Sequence, residues 1–212
     1  MSIRRLPVYL LLDCSSSMTG QPIEQVRQGL RALLDDLSSE PMAIETVYLS
    51  VITFHSTAQQ VNPLTELMRF KEPMIEASGT TALGSALRLL TDCLEKEVRK
   101  NTAIQKGDWK PLVFLMTDGM PTDAWESAAD QVKKQKSANI IAFAAGPNAD
   151  IANLKHITDI VLKSDELSPG TLKAFFQWMS QSILQTGKSV QVIAQELPID
   201  LPKPPPQIQI VP

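Results

Sequence analysis

Three small oxygen-bearing side chains alternate with other residues directly after an apolar run near the N-terminus. The run Val8–Leu12 is typical of a buried strand, and Asp13, Ser15 and Ser17 follow it in the pattern D-x-S-x-S. In an extended loop alternate residues point the same way, so the pattern predicts three oxygens around one point. Small oxygen donors suit a hard divalent cation, magnesium in particular. The alternative is that these side chains only hydrogen-bond their own backbone and cap the next helix.

Two further segments place oxygen-bearing side chains where they favour the metal-site interpretation. Pro111–Met116 is typical of a second buried strand, and it ends in a T-D-G motif with Asp118 as its carboxylate. Between the two strands, Ser78–Leu87 is a hydroxyl-bearing loop that runs into an apolar helix. In open α/β sheets, ligands bind at the carboxyl ends of the strands, where Asp13 and Asp118 are expected.

The three motifs, in this order, resemble the metal-ion-dependent adhesion site of the von Willebrand factor A family: D-x-S-x-S, then a G-[GT]-T loop, then T-D-G. The resemblance covers roughly residues 5–186, almost the whole chain. It implies that the direct metal ligands are Ser15, Ser17 and Thr81. It also implies that two acidic residues, Asp13 and Asp118, act mostly through bound waters and hydrogen bonds. The cofactor expected from this set is Mg²⁺, with Mn²⁺ or Ca²⁺ as alternatives.

The loop between the strands has two adjacent threonines. Thr80 takes the place of the family's usual second glycine, which leaves Thr80 and Thr81 as alternatives for the third ligand. Aligning residues 84–87 with the family's G-x-A-L favours Thr81.

Longer stretches narrow the resemblance to the TerY branch of bacterial tellurium-resistance proteins. Members of that branch resemble intracellular adaptors encoded near a kinase-like protein and a metal-dependent PPM-type phosphatase. The resemblance therefore implies a non-enzymatic protein-interaction module with those two partners in a stress-response system. An acidic side chain from a partner is expected to complete the coordination of the metal ion. The stretches that carry this resemblance are Arg4–Leu11, Glu45–Phe54, Lys106–Leu112 and Thr117–Asp123.

The composition is that of an ordinary globular protein. Of the 212 residues, 43% are hydrophobic and 20% are charged, and the net charge of −3 offers no broad basic surface for nucleic acid or anionic membranes. Two cysteines, Cys14 and Cys93, do not make a disulfide framework. The apolar run that ends at Asp13 is too short for a signal-peptide core, and no run approaches a membrane span. We therefore expect a cytoplasmic protein.

The apolar periodicity predicts strands that alternate with helices. Such a pattern is typical of an α/β fold with a doubly wound, mostly parallel six-stranded sheet flanked by helices, in the order 3-2-1-4-5-6 with strand 3 antiparallel. The predicted strands lie within 8–12, 46–54, 58–61, 111–116, 139–145 and 159–162, and the predicted helices within 22–38, 83–98, 123–136, 150–156 and 169–184. Asp123 and Glu126 form a capping-box pattern at the start of the third predicted helix, 123–136.

The C-terminal segment breaks this alternation. We divide the chain into a domain at 1–187 and an extended proline-rich tail at 188–212, because the segment from Leu197 to Pro212 inclusive contains six prolines. The tail is either disordered or laid as an extended strip against an apolar groove. The apolar residues of such a strip are Leu197, Ile199, Leu201, Ile208, Ile210 and Val211.

The enzyme alternative is phosphoryl transfer with Asp13 as the nucleophile. Ser15 stands where a D-x-D-x-T phosphatase has its general acid, which disfavours that reaction. Glycine-rich nucleotide-binding motifs and the G-x-S-x-G nucleophile elbow do not occur in the sequence. His55 and His156 are expected at the surface or in helix caps. Among the tryptophans, Trp178 is expected in the core, whereas Trp109 and Trp125 are candidates for exposed partner contacts.

Overall fold

A mostly parallel sheet of seven strands forms the centre of the molecule. The structure is a computed structural model that describes residues 4–193, 199 and 201–212, and its strand order is β3-β2-β1-β4-β5-β6-β7. The two outermost strands are antiparallel to their neighbours and the others are parallel. This confirms the predicted order and the antiparallel third strand, and it adds a seventh strand. The strands are β1 (Leu6–Asp13), β2 (Val47–Phe54), β3 (Ala58–Glu66), β4 (Leu112–Thr117), β5 (Asn139–Ala145), β6 (Ile160–Ser164) and β7 (Gln209–Val211).

Helices cover both faces of the sheet. Strand β1 is buried along its whole length, with Leu10 in one apolar cluster and Leu11 in the other, because successive side chains point to opposite faces. Helices α1 and α6 pack in the first cluster, and α3, α4 and α5 in the second. No helix of the described residues is long and apolar enough to cross a membrane. The helices are α1 (Gln21–Ser38), α2 (Pro41–Thr46), α3 (Leu83–Glu97), α4 (Glu126–Gln135), α5 (Ile151–Ile157) and α6 (Pro169–Ile193).

Several element boundaries differ from the prediction. Helix α2 was not predicted, although Pro41 suits a first helical position. Helix α4 begins at Glu126 with Trp125 as its N-cap, so the expectation that Asp123 caps α4 is wrong. The Asp123 carboxylate instead accepts hydrogen bonds from backbone N–H groups of α3. Helix α6 continues across residue 187, and the domain division there stays a prediction.

A polar cluster next to the residues that precede β1 fixes the connection between α3 and β4. Asp108 accepts hydrogen bonds from Arg5 Nε and from the backbone N–H of Arg99, both at 2.8 Å. The Arg4 guanidinium lies 3.5 Å from the centre of the Trp109 ring, a cation–π contact. Trp109 is buried, so its predicted use as an exposed partner contact is wrong.

The proline-rich segment docks on the sheet of the same chain. Strand β7 pairs with β6, with Leu162 opposite Ile210. Ile208 is buried in the core, and the indole N–H of Trp178, itself buried as predicted, donates a 2.8 Å hydrogen bond to the carbonyl of Pro202. Ile199 and Leu201 also pack against the core, whereas Leu197 lies outside the described residues. The docked strip, rather than the disordered tail, is the alternative found in the described part of the tail.

Docking of the tail predicts unequal effects from two neighbouring isoleucines. Ile208 is 3% exposed and Ile210 is 61% exposed. Ile208→Ala should lower the free energy of unfolding by about 2 kcal/mol or more, because it leaves a cavity in a packed core. The exposed control, Ile210→Ala, should change it by less than about 0.5 kcal/mol. Urea unfolding followed by tryptophan fluorescence measures both, and equal effects would show that the tail does not pack as described.

Candidate metal centre

The two predicted acidic residues lie side by side at the carboxyl ends of β1 and β4. These strands are parallel neighbours, and Leu12 pairs with Met116, which places Asp13 beside Thr117. The Thr117 hydroxyl donates a 2.5 Å hydrogen bond to Asp13 Oδ2, and the backbone N–H of Ser15 donates a 2.8 Å bond to Oδ1. Asp13 is 0% exposed. Both oxygens of this buried carboxylate therefore have protein donors.

The hydroxyls of the first motif meet through a tight turn. Residues Ser16–Met18 form one turn of 3₁₀ helix, closed by a 3.0 Å bond from Met18 N to the Ser15 carbonyl, so the expectation of an extended loop is wrong. The Ser15 and Ser17 hydroxyl oxygens are nevertheless 3.0 Å apart. Ser17 Oγ donates to Asp118 Oδ1 at 2.8 Å, which joins the first motif to the T-D-G motif.

The intervening residues of the first motif face away from this cluster. Cys14 is buried in the apolar cluster that α1 covers. Ser16 is exposed, and its hydroxyl donates a 2.8 Å hydrogen bond to the Gly79 carbonyl. This bond and a 2.8 Å bond from Ser78 N to the Cys14 carbonyl hold the G-T-T loop against the D-x-S-x-S turn.

The structure separates the two candidate threonines. Thr81 is buried, and a Cβ added to Gly119 would lie 3.5 Å from its hydroxyl, so Thr81 faces the turn of the T-D-G motif. Thr80 is exposed, and its backbone N–H donates a 3.2 Å bond to the hydroxyl of Ser56. Of the two, Thr81 is therefore the one whose hydroxyl lies at the Asp118 side of the cluster.

Both carboxylates carry an electrostatic cost. Burial raises the pKa of Asp13 above its usual value, and hydrogen bonds from Ser15 and Thr117 oppose that shift in part. Burial also raises the pKa of Asp118; the hydrogen bond from Ser17 opposes it, and the nearby charge of Asp13 raises it further. A cation among these groups would favour their ionised forms.

The donor set fits a hard cation held mainly by hydroxyls. The described residues contain no cluster of three or more His, Cys, Asp or Glu side chains suited to a metal ion. A cation here would thus depend on the hydroxyls of Ser15, Ser17 and Thr81, with Asp13 and Asp118 as the nearby acidic groups. Because Ser17 donates its hydroxyl hydrogen to Asp118, it acts as the acceptor in its contact with Ser15, and its second lone pair is left for a cation.

The sequence did not reveal that the loop carrying Thr81 is held by the end of β2 and by the residues after the T-D-G motif. The carbonyl of His55 accepts a 2.7 Å bond from Ala82 N, although His55 is distant from the loop in sequence. Thr122 bonds Thr81 in the loop before α3, and Asp123 bonds the first turn of α3. The available signal was topological, because β2 is parallel to β1 and its carboxyl end must reach the same edge of the sheet.

His156 and Trp125 lie next to each other, and neither belongs to the candidate site. His156 is exposed, in agreement with its predicted surface position, and bonds Asp130 at 2.7 Å. Trp125 is half-buried, and its ring lies edge-on to the His156 ring.

Comparison with protein-family profiles matches residues 8–167 to the von Willebrand factor type A domain. This chain belongs to the von Willebrand factor type A domain family. The order of the sheet, with the candidate site at its centre, agrees with that membership. The narrower resemblance to the TerY branch is not part of what this match establishes.

Individual relatives are more distant. Bovine inter-alpha-trypsin inhibitor heavy chain H4 is 32% identical over 123 residues, which are 54% of this chain and 13% of that protein. A von Willebrand factor type A protein from Catenulispora acidiphila has a TM-score of 0.64 at 17% identity, over 85% of this chain and 43% of that one. Proximal thread matrix protein 1 of the mussel byssus, with zinc in its MIDAS motif, has a TM-score of 0.61 at 17% identity, over 85% and 48%. At such identities the two solved structures establish the fold alone.

The cysteine beside the site gives a test of its packing. Burial raises the pKa of the Cys14 thiol to about 12 and that of Cys93 to about 11, and both side chains are buried. Since the thiolate is the reactive form, neither thiol of the native protein should react with Ellman's reagent at about pH 8, and both should react in concentrated guanidinium. In the Cys93→Ala variant, rapid labelling of native Cys14 would contradict the described packing of the D-x-S-x-S turn.

Proposed function

We propose that this chain is a non-enzymatic protein-interaction module whose binding depends on a divalent cation. In this proposal the direct ligands are the hydroxyls of Ser15, Ser17 and Thr81. The carboxylates of Asp13 and Asp118 act mostly through waters and hydrogen bonds. One observation carries the proposal: the Ser15 hydroxyl contacts that of Ser17, which in turn donates to Asp118 at 2.8 Å. Two separate segments, the D-x-S-x-S turn and the T-D-G motif, thereby present oxygens at one edge of the sheet.

The chemistry of these donors explains why a partner would be bound. Neutral hydroxyls neutralise less of the charge of a cation than carboxylate ligands would, so the ion remains electron-poor. Ser16 and Ser17 are exposed, which leaves the site accessible from solvent. An acidic side chain from another protein is the oxygen ligand that such an ion would attract. We favour Mg²⁺, with Mn²⁺ or Ca²⁺ as alternatives; the zinc in the mussel protein's MIDAS motif supports a divalent ion.

The finer assignment rests on the resemblance to the TerY branch. We propose a bacterial cytoplasmic adaptor in a tellurium-resistance or stress system, with a kinase-like protein and a PPM-type phosphatase as partners. The resemblance in Thr117–Asp123 and in Lys106–Leu112 supports this role. The net charge of −3 favours protein partners over nucleic acid or an anionic membrane.

The environment of Asp13 weighs against phosphoryl transfer. A nucleophilic carboxylate must reach the phosphorus atom, whereas Asp13 is fully buried and both of its oxygens accept protein hydrogen bonds. Turnover of a generic phosphate ester that is lost in Asp13→Asn would contradict the non-enzymatic proposal.

Metal binding should stabilise the protein. A cation that binds only the folded state contributes about 2.7 kcal/mol at 100 times its Kd. For a chain of 212 residues this corresponds to a rise in Tm of about 5–10 °C. Asp118→Ala and Ser17→Ala should abolish the rise caused by Mg²⁺ or Mn²⁺, measured by differential scanning calorimetry. Asp130→Ala, which removes a carboxylate 71% exposed, is the matched control and should keep it. An undiminished rise in Asp118→Ala would remove Asp118 from the site.

Partner binding should depend on the same ion. When the wild-type chain is immobilised on a column, it should retain the proposed kinase-like partner in Mg²⁺. It should release that partner in EDTA, because the partner's carboxylate would lose the cation that it binds. Asp118→Ala should fail to retain it in either buffer, while Asp130→Ala behaves as wild type. Retention that is insensitive to EDTA would contradict a metal-dependent contact.

A further inference from the structure

Asp123 ties the segment after the T-D-G motif to the start of α3. Its Oδ1 accepts a 2.8 Å hydrogen bond from Gly84 N, and its Oδ2 accepts bonds from Ser85 N at 2.8 Å and from Ser85 Oγ at 3.1 Å. Arg88 Nη2 lies 3.5 Å from the same oxygen. Helices begin with unsatisfied N–H groups, so this carboxylate caps α3 from 39 residues away in sequence.

Thr122 bonds Thr81 in both directions. The backbone N–H of Thr81 donates to Thr122 Oγ1 at 3.0 Å, and the backbone N–H of Thr122 donates to the Thr81 carbonyl at 2.9 Å. Thr81 is thus held by its own main-chain groups rather than through its hydroxyl. The hydroxyl remains free to face Gly119 and the candidate site.

The two segments touch without intervening side chains. A Cβ added to Gly84 would lie 2.7 Å from Trp125 Cα, closer than real Cβ atoms come. Only glycine allows residues 123–125 to lie directly on the first turn of α3 at this point. This close contact therefore restricts movement of the Thr81 loop relative to the segment that carries Asp118.

We propose that Asp123 and Thr122 are positioning residues for metal binding: they lock the loop that carries Thr81 onto the segment that carries Asp118. This inference rests on the proposed metal-dependent function. Neither side chain is a ligand. Each acts by fixing where the Thr81 hydroxyl stands relative to Ser17 and Asp118 before the ion arrives. Residues that orient metal ligands in this way typically change metal affinity by about 10- to 100-fold when they are replaced.

The test measures Mn²⁺ affinity of the full chain by isothermal titration, with a second helix cap as the control. Asp150 also caps a helix, since its carboxylate accepts bonds from Ala152 N at 2.9 Å and Asn153 N at 3.2 Å at the start of α5. Asp123→Ala and Asp150→Ala should both lower the unfolding midpoint in urea. Only Asp123→Ala should weaken Mn²⁺ binding, by about tenfold or more.

Two milder variants separate positioning from a general loss of structure. Asp123→Asn retains one carbonyl acceptor for the α3 cap and should restore part of the affinity lost in Asp123→Ala. Thr122→Val removes only the acceptor for Thr81 N, keeps nearly the same shape and should also weaken binding. If Asp123→Ala does not fold, these two variants decide the question.

The outcomes distinguish this inference from the proposed function. Wild-type chain that binds Mn²⁺, together with Asp123→Ala, Asp123→Asn and Thr122→Val variants within twofold of it, would overturn the positioning role and leave the proposed function standing. Equal weakening in Asp150→Ala would show that any lost cap has this effect and would also overturn it. Wild-type chain that binds no Mn²⁺ would refute the proposed function and this inference with it.

Discussion

The arrangement of the candidate site depends on the burial of one carboxylate, that of Asp13. A carboxylate without access to water is costly unless its oxygens accept hydrogen bonds. Here one oxygen accepts from the hydroxyl of Thr117 and the other from the backbone N–H of Ser15. The first bond joins the ends of β1 and β4, and the second begins the turn that brings Ser17 back toward Asp118. Satisfying Asp13 therefore sets the relative positions of two of the three motifs.

The remaining motif, the G-T-T loop, is placed by contacts that do not involve Asp13. The G-T-T loop bonds the D-x-S-x-S turn on one side, through Gly79 and Ser78, and the segment after T-D-G on the other, through Thr81 and Gly84. It bridges the two acidic segments. The hydroxyls thus converge because three loops are bonded to one another, whereas a single strand with alternating side chains could not present them together.

The proposed mechanism follows from which atoms remain accessible. Asp13 and Asp118 are buried and act as acceptors for hydroxyls, while Ser17 is exposed at the edge of the sheet. Ser15 and Thr81 are buried like the carboxylates, so the Ser17 hydroxyl is the member of this set that belongs to an exposed residue. Such a site would hold a cation and leave its coordination incomplete. An acidic side chain from a partner could then bind at the open coordination position.

Much of this could be predicted because the decisive signals are local. Buried parallel strands give continuous apolar runs, and the residues directly after them must lie at one edge, so Asp13 and Asp118 were expected together. Long-range contacts gave no such signal. The D-x-x-E pattern at Asp123 is compatible with capping its own helix, and only the tertiary structure shows that it caps α3. Strand β7 was missed because its pairing depends on the free edge of β6 and not on its own short sequence.

The most direct test of the central claim is a crystal structure of the protein grown with Mn²⁺, with anomalous differences collected to locate the ion. We expect one strong anomalous peak within coordination distance of the hydroxyls of Ser15, Ser17 and Thr81, with Asp13 and Asp118 close to it. A peak bonded to other residues, or no peak at this edge of the sheet at saturating Mn²⁺, would contradict the central claim.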